Sequence, residues 1–143
     1  MLKNIHPLLS PDLLHLLRSM GHGDELVIAD RNFPAVSNAQ RLVRLDGADA
    51  IEAARAILSV YPVDDFVSPA AFRMEVVGEP DDVTPVQCEL KQALDAAEGR
   101  DVTLAGIERF AFYERAKQAF GIVATSEDRP YGCFILIKGV VRA

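Results

Sequence analysis

The sequence predicts an α/β domain: an α/β/α layered sandwich around a central six-stranded, largely parallel sheet. Three observations carry this expectation. Short apolar runs alternate with amphipathic segments of helical period along most of the chain. Those runs are mostly uninterrupted, which is the pattern of strands covered on both faces. Half of the 143 residues are hydrophobic, enough to bury a core without disulfides or a structural metal. The first two strands and the last two are joined by loops rather than helices, which leaves room for a mixed sheet. No linker, repeat or low-complexity tract divides the chain, so one domain over residues 1–143 is expected.

The first element is a helix from Pro11 to Met20. Leu13, Leu14, Leu16, Leu17 and Met20 cover one face, and Asp12, His15, Arg18 and Ser19 the other. Ser10 is placed to cap it, Pro11 to open it and Gly21 to end it. Glu25 to Asp30 reads as a strand closed by a carboxylate, and Arg41 to Leu45 as a second. Asp49 to Tyr61 is an Ala-rich helix that stops before Pro62. Phe72 to Val77 is a third strand, and Pro85 to Glu98 an amphipathic helix ended by Gly99. Val102 to Ile107 is a fourth strand, Phe110 to Gln118 a helix, and Gly121 to Thr125 a fifth strand. Phe134 to Val141 is a sixth, long and strongly apolar. Segments 31–40 and 78–84 read as exposed loops.

Composition narrows the function. Net charge is −6, which disfavours sequence-independent nucleic-acid binding and docking on an anionic membrane. Cys88 and Cys133 stand far apart and form neither a disulfide framework nor a zinc motif. Nothing near the N-terminus reads as a signal peptide, and no apolar run reaches membrane-spanning length, so the expected location is cytoplasmic. There is no GxGxxG, Walker A loop, HExxH or GxSxG. No cofactor and no metal are expected.

What remains is a set of polar residues at element ends. His22 lies between two glycines in a tight helix-to-strand connection. Its imidazole can give and take protons near neutral pH, or it is simply a solvated loop histidine. Asp30 ends the first strand, on the side where open α/β sheets bind ligands. It can accept from two hydroxyls, or it starts an Asx-turn. Arg109 and Tyr113 are i and i+4 on a helix that follows the fourth strand, so they share a face. Tyr131, Gly132 and Cys133 precede the last strand. There the tyrosine can donate to a ligand oxygen and the glycine permits close backbone approach, or the segment is an ordinary turn.

Together GHGDELVIAD followed by FP, ERFAFYERAKQAFGIV and the tail YGxxxLxKGV resemble the L-fucose mutarotase / D-ribose pyranase family nearly end to end. The opening RFAFYERA favours the fucose branch, since the ribose branch carries histidine where Arg109 stands. The resemblance implies that His22 is the general acid/base and that Asp30, Arg109 and the segment Tyr131, Gly132 and Cys133 contact a monosaccharide. The family usually has asparagine at the position of Cys133. A thiol is a weak donor and acceptor, so contact there is expected through the backbone. Tyr131 or Tyr113 is the expected complement to His22. The activity implied is isomerase chemistry: anomer interconversion by ring opening, or pyranose–furanose exchange on ribose by the same step. A non-catalytic monosaccharide-binding module is the reading from another class.

One consequence follows from spacing. His22 precedes the first strand and Asp30 ends it, and six extended residues span roughly 20 Å, far more than one sugar. His22 is therefore expected to reach a site completed by a neighbouring subunit. The resemblance likewise implies ring-like homo-oligomers with sites at subunit contacts.

Overall fold

A computed structural model describes residues 1–143. Six strands form one mixed sheet: β1 (Glu25–Ala29), β2 (Leu42–Leu45), β3 (Ala71–Met74), β4 (Leu104–Ile107), β5 (Gly121–Thr125) and β6 (Phe134–Ile137). Their spatial order is β2-β5-β1-β6-β3-β4. β1 pairs parallel with β5, β5 with β2, and β3 with β4. β6 runs antiparallel to both of its neighbours, β1 and β3. The sheet is thus parallel apart from one internal strand. That strand brings its own N-terminal end to the edge where the other five have their C-terminal ends.

Alternation along β1 shows the layering. Leu26 and Ile28 join one core with α1 (Pro11–Ser19), α3 (Ala50–Leu58) and α4 (Pro85–Glu98). Val27 and Ala29 join a second core with α2 (Ala35–Asn38) and α5 (Arg109–Gln118). Each fully buried leucine contributes about 1.5–3 kcal/mol, and Leu13, Leu26, Leu90, Leu94 and Leu136 are all completely covered. β5 begins at Gly121 because α1 sits directly on it: a Cβ there would lie 2.8 Å from a methyl of Leu16.

The helix ends follow local chemistry. The Ser10 hydroxyl accepts from Leu13 N at 3.2 Å, and the Asp49 carboxylate from Glu52 N at 2.7 Å. α4 closes on Gly99 at φ +65°, the left-handed conformation glycine favours. Gly21 does not end α1 in that way. Met20 leaves the helix in extended backbone. The Lys138 ammonium, arriving from the end of β6, donates to the carbonyls of Leu17 and Met20 at 2.7 Å each. A cation at a helix C-terminus also complements the helix dipole.

Three further expectations are corrected. β3 stops at Met74 rather than Val77, because the chain folds into a turn in which Val76 bridges Glu79. The segment 31–40 contains the short helix α2. β6 stops at Ile137 rather than Val141. Beyond it Gly139 N donates to Pro62 O at 2.8 Å and the tail leaves the sheet. A Cβ on Gly139 would lie 2.8 Å from Asp64 Cα and 2.9 Å from Asp64 N and Val63 O. All three are backbone atoms and cannot swing aside. Gly139→Ala is therefore expected to destabilise by about 1–3 kcal/mol, read as a lower urea midpoint, whereas alanine at Gly21, where a Cβ would meet nothing closer than 3.7 Å, should involve no such clash.

Candidate functional site

The edge formed by the C-terminal ends of β1, β3 and β4 and the N-terminal end of β6 carries most of the polar residues singled out above. Asp30, Arg109, Tyr113, Tyr131 and Cys133 line one cleft of about 220 Å³, with Phe33 and Met74 as apolar wall. Three larger hollows, of about 330, 410 and 630 Å³, bring together fewer of them. The smaller cleft is the candidate site because the polar groups converge there, not because of its size.

Asp30 is nearly buried, and its turn-starting reading is the one the structure shows. Oδ1 accepts from Asn32 N and Phe33 N at 3.0 Å each, forming the Asx-turn that starts the loop. Oδ2 takes no backbone amide. Arg31 N donates to Glu127 O at 3.0 Å and fixes where the chain leaves β1. Glu127 is itself buried: its carboxylate accepts from Ala50 N and from the Arg129 guanidinium, and its Cγ lies 2.8 Å from the place a Cβ on Gly132 would occupy. Burial pushes the Glu127 carboxyl up, but the Arg129 bond and two backbone amides outweigh it and hold the group below its ordinary value. Gly132 is thus the residue that lets the Tyr131–Cys133 segment lie directly against buried Glu127.

Arg109 opens α5 directly after β4. The Glu108 carboxylate caps that helix by accepting from Phe110 N and Ala111 N, and these amides hold its carboxyl below the usual range. Arg109 Nε donates to the Tyr113 hydroxyl at 3.2 Å, and Phe33 meets the Tyr113 ring edge-on at 5.4 Å. Tyr131 has φ +63°, a left-handed backbone on a residue with a Cβ. Its hydroxyl accepts from Val77 N at 3.2 Å.

Cys133 is fully covered. Burial pushes its thiol well up and the adjacent Asp30 carboxylate adds to this. Only Cys88, exposed on α4, should react with iodoacetamide in the folded protein. Mass mapping that found Cys133 alkylated at a comparable rate would contradict this packing.

His22 is not in this cleft. It stands before β1, a whole strand away from Asp30, where Gly23 N and Asp24 O pair with Lys138. Within one chain it meets neither Tyr131 nor Tyr113. Its partner is Asp64, which the motif reading missed. His22 Nε2 lies 3.0 Å from Asp64 Oδ1; the ring is half-exposed and the carboxylate almost wholly covered. A carboxylate only accepts, so Nε2 carries the hydrogen and Nδ1 is the nitrogen left open. Asp64 is fixed in turn: Oδ1 also accepts from Phe66 N, its carbonyl accepts from Arg100 Nη2, and Gly139 packs on its backbone. The exposed Phe66 ring lies 5.0 Å from the imidazole. The available signal was an acidic pair, Asp64–Asp65, in a non-helical stretch, and nothing in one dimension ties it to a histidine 42 residues earlier.

A carboxylate, a guanidinium and phenols around a small cleft at a sheet edge define a protein class: an α/β domain with a site for one small polyhydroxylated ligand. The chain belongs to the RbsD / FucU transport protein family, whose model matches residues 3–141. It is 47% identical to the fucose mutarotase of Homo sapiens over 98% of this chain and 94% of that protein. Its fold superposes on the crystal structure of the fucose mutarotase of Streptococcus pneumoniae in complex with L-fucose with a TM-score of 0.92, at 41% identity, covering 99% of this chain and 100% of that one. The crystal structure of protein Atu2016 gives a TM-score of 0.95 at 53% identity, covering 99% and 97%. No helix is long and apolar enough to cross a membrane.

Proposed function

We propose that this protein is an isomerase that interconverts the α and β anomers of L-fucose by acid–base opening of the sugar ring. One observation carries the reading: Asp30, Arg109, Tyr113, Tyr131 and Cys133, drawn from three separate segments, line a single cleft. The fucose mutarotases to which the chain is similar over nearly its full length supply the sugar.

The chemistry suits these groups. A cyclic hemiacetal opens when the anomeric hydroxyl loses a proton and the ring oxygen gains one. Rotation about C1–C2 and reclosure give the other anomer. Asp30 accepts from sugar hydroxyls, and Arg109, braced by Tyr113, donates. Backbone groups of Tyr131, Gly132 and Cys133 fix the ring edge. His22 of a neighbouring subunit and the Tyr131 phenol exchange the two protons. This division of labour requires a homo-oligomer with sites at subunit contacts, and the reading places it in the cytoplasm.

Saturation-transfer NMR at the anomeric proton tests it directly. Catalysed exchange is expected with L-fucose at micromolar protein. Catalysed pyranose–furanose exchange of D-ribose without effect on fucose would replace the reading by the ribose one. Binding of fucose with no acceleration of exchange would make the chain a binding module.

A further inference from the structure

Resting on that reading of the cleft, we infer that Gln87 is a positioning residue for Tyr131, holding the tyrosine in the one backbone conformation that carries its ring to the sugar. Tyr131 has φ +63°, where a Cβ crowds the backbone and only glycine is at ease. Such a conformation persists when surrounding bonds over-determine it, and it is found where a site needs the geometry. Gln87 supplies the bond. It sits in the first turn of α4 with its side chain completely buried. Nε2 donates to Tyr131 O at 3.2 Å and to Met74 O at 2.8 Å, while Oε1 accepts from Thr84 N at 3.2 Å.

Every polar atom of this amide is therefore used, and two of its three partners belong to residues of the cleft wall. A buried amide that serves only helix capping would need just the bond to Thr84. The second hydrogen of Nε2 is committed to a carbonyl 44 residues away, that of the strained residue itself. A second tie acts on the same tyrosine from the other side, where Val77 N donates to its hydroxyl. Backbone carbonyl and phenol are both held, so the ring between them has one orientation. Burial of Gln87 shields its bonds from water, which strengthens them.

The test compares Gln87→Met with Leu90→Ala, a core truncation on the same helix at a fully buried residue outside the cleft. Two quantities are read. One is kcat/KM for fucose anomer exchange. The other is the Cα and Cβ chemical shifts of Tyr131, which report positive φ whether or not the protein is active. Gln87→Met is expected to lower kcat/KM at least about tenfold and to move the Tyr131 shifts out of the left-handed range. Leu90→Ala should lower the melting temperature and do neither. If Gln87→Met does not fold, Gln87→Glu, which keeps the acceptor and loses the amide donor, is read in the same way. Tyr131 shifts unchanged in a folded Gln87 variant, or an equal activity loss in Leu90→Ala, overturns the inference. A wild type without exchange activity would sink the reading of the function, and the chemical shifts alone would then decide the role of Gln87.

Discussion

Replacing His22 by glutamine is expected to slow catalysed anomer exchange by on the order of 10²–10⁴-fold, the contribution of a positioned acid–base group. Stability and sugar binding should hardly change. The imidazole is half-exposed in a glycine-flanked turn and supports no core packing. Glutamine can still donate an N–H to Asp64, so the buried carboxylate keeps a partner, but it cannot take up a proton. A second result follows from the position of His22 at the far end of β1 from Asp30. Arg109→Ala is expected to be nearly inactive for a different reason, the loss of a donor in the cleft. Coexpressed with His22→Gln, it should give mixed oligomers with roughly a quarter of the wild-type sites, the share in which random assortment joins an intact imidazole to an intact cleft. Mixed oligomers that stayed silent would overturn the site shared between subunits, and a His22→Gln protein of full activity would remove His22 from the mechanism.

The sequence exposes some of this and hides the rest for physical reasons. Helix α4 is legible to the residue because Pro85 and Gly99 are local signals, and local sterics decide where a helix starts and stops. Asp30 and Arg109 could be placed at one edge by knowing only that parallel strands end there, whereas Tyr131 precedes β6 and reaches that edge only because β6 runs antiparallel. The antiparallel insertion of β6 between β1 and β3 is a long-range pairing, and FILI would suit a parallel strand equally well. The early end of β6 depends on Gly139 meeting Asp64, a contact 75 residues long in sequence that no period reveals. Gln87 and Glu127 look like surface residues in composition, and only the fold shows them buried with every polar atom engaged. What remains hidden from one dimension is the support beneath the site rather than the groups facing the ligand.

Asp64 is the clearest case, and Asp64→Asn isolates what it does. Asparagine keeps the shape, the acceptor for Phe66 N and the packing against Gly139. It loses the carboxylate's charge, so the bond that Oδ1 accepts from His22 Nε2–H is no longer charge-assisted. A hydrogen bond to a charged group contributes about 1.5–3 kcal/mol, which as lost transition-state stabilisation is roughly a tenfold to hundredfold fall in kcat. In the proposed mechanism Asp64 acts on the sugar only through His22, so KM should stay within about twofold. Asp64→Ala should match that kcat loss and also melt earlier, because Phe66 N then loses its acceptor. The split between kcat and KM separates orientation of the base from a general disturbance of the fold. If kcat survives in Asp64→Asn, or KM rises as steeply as kcat falls, the carboxylate is part of the scaffold and the imidazole works without it.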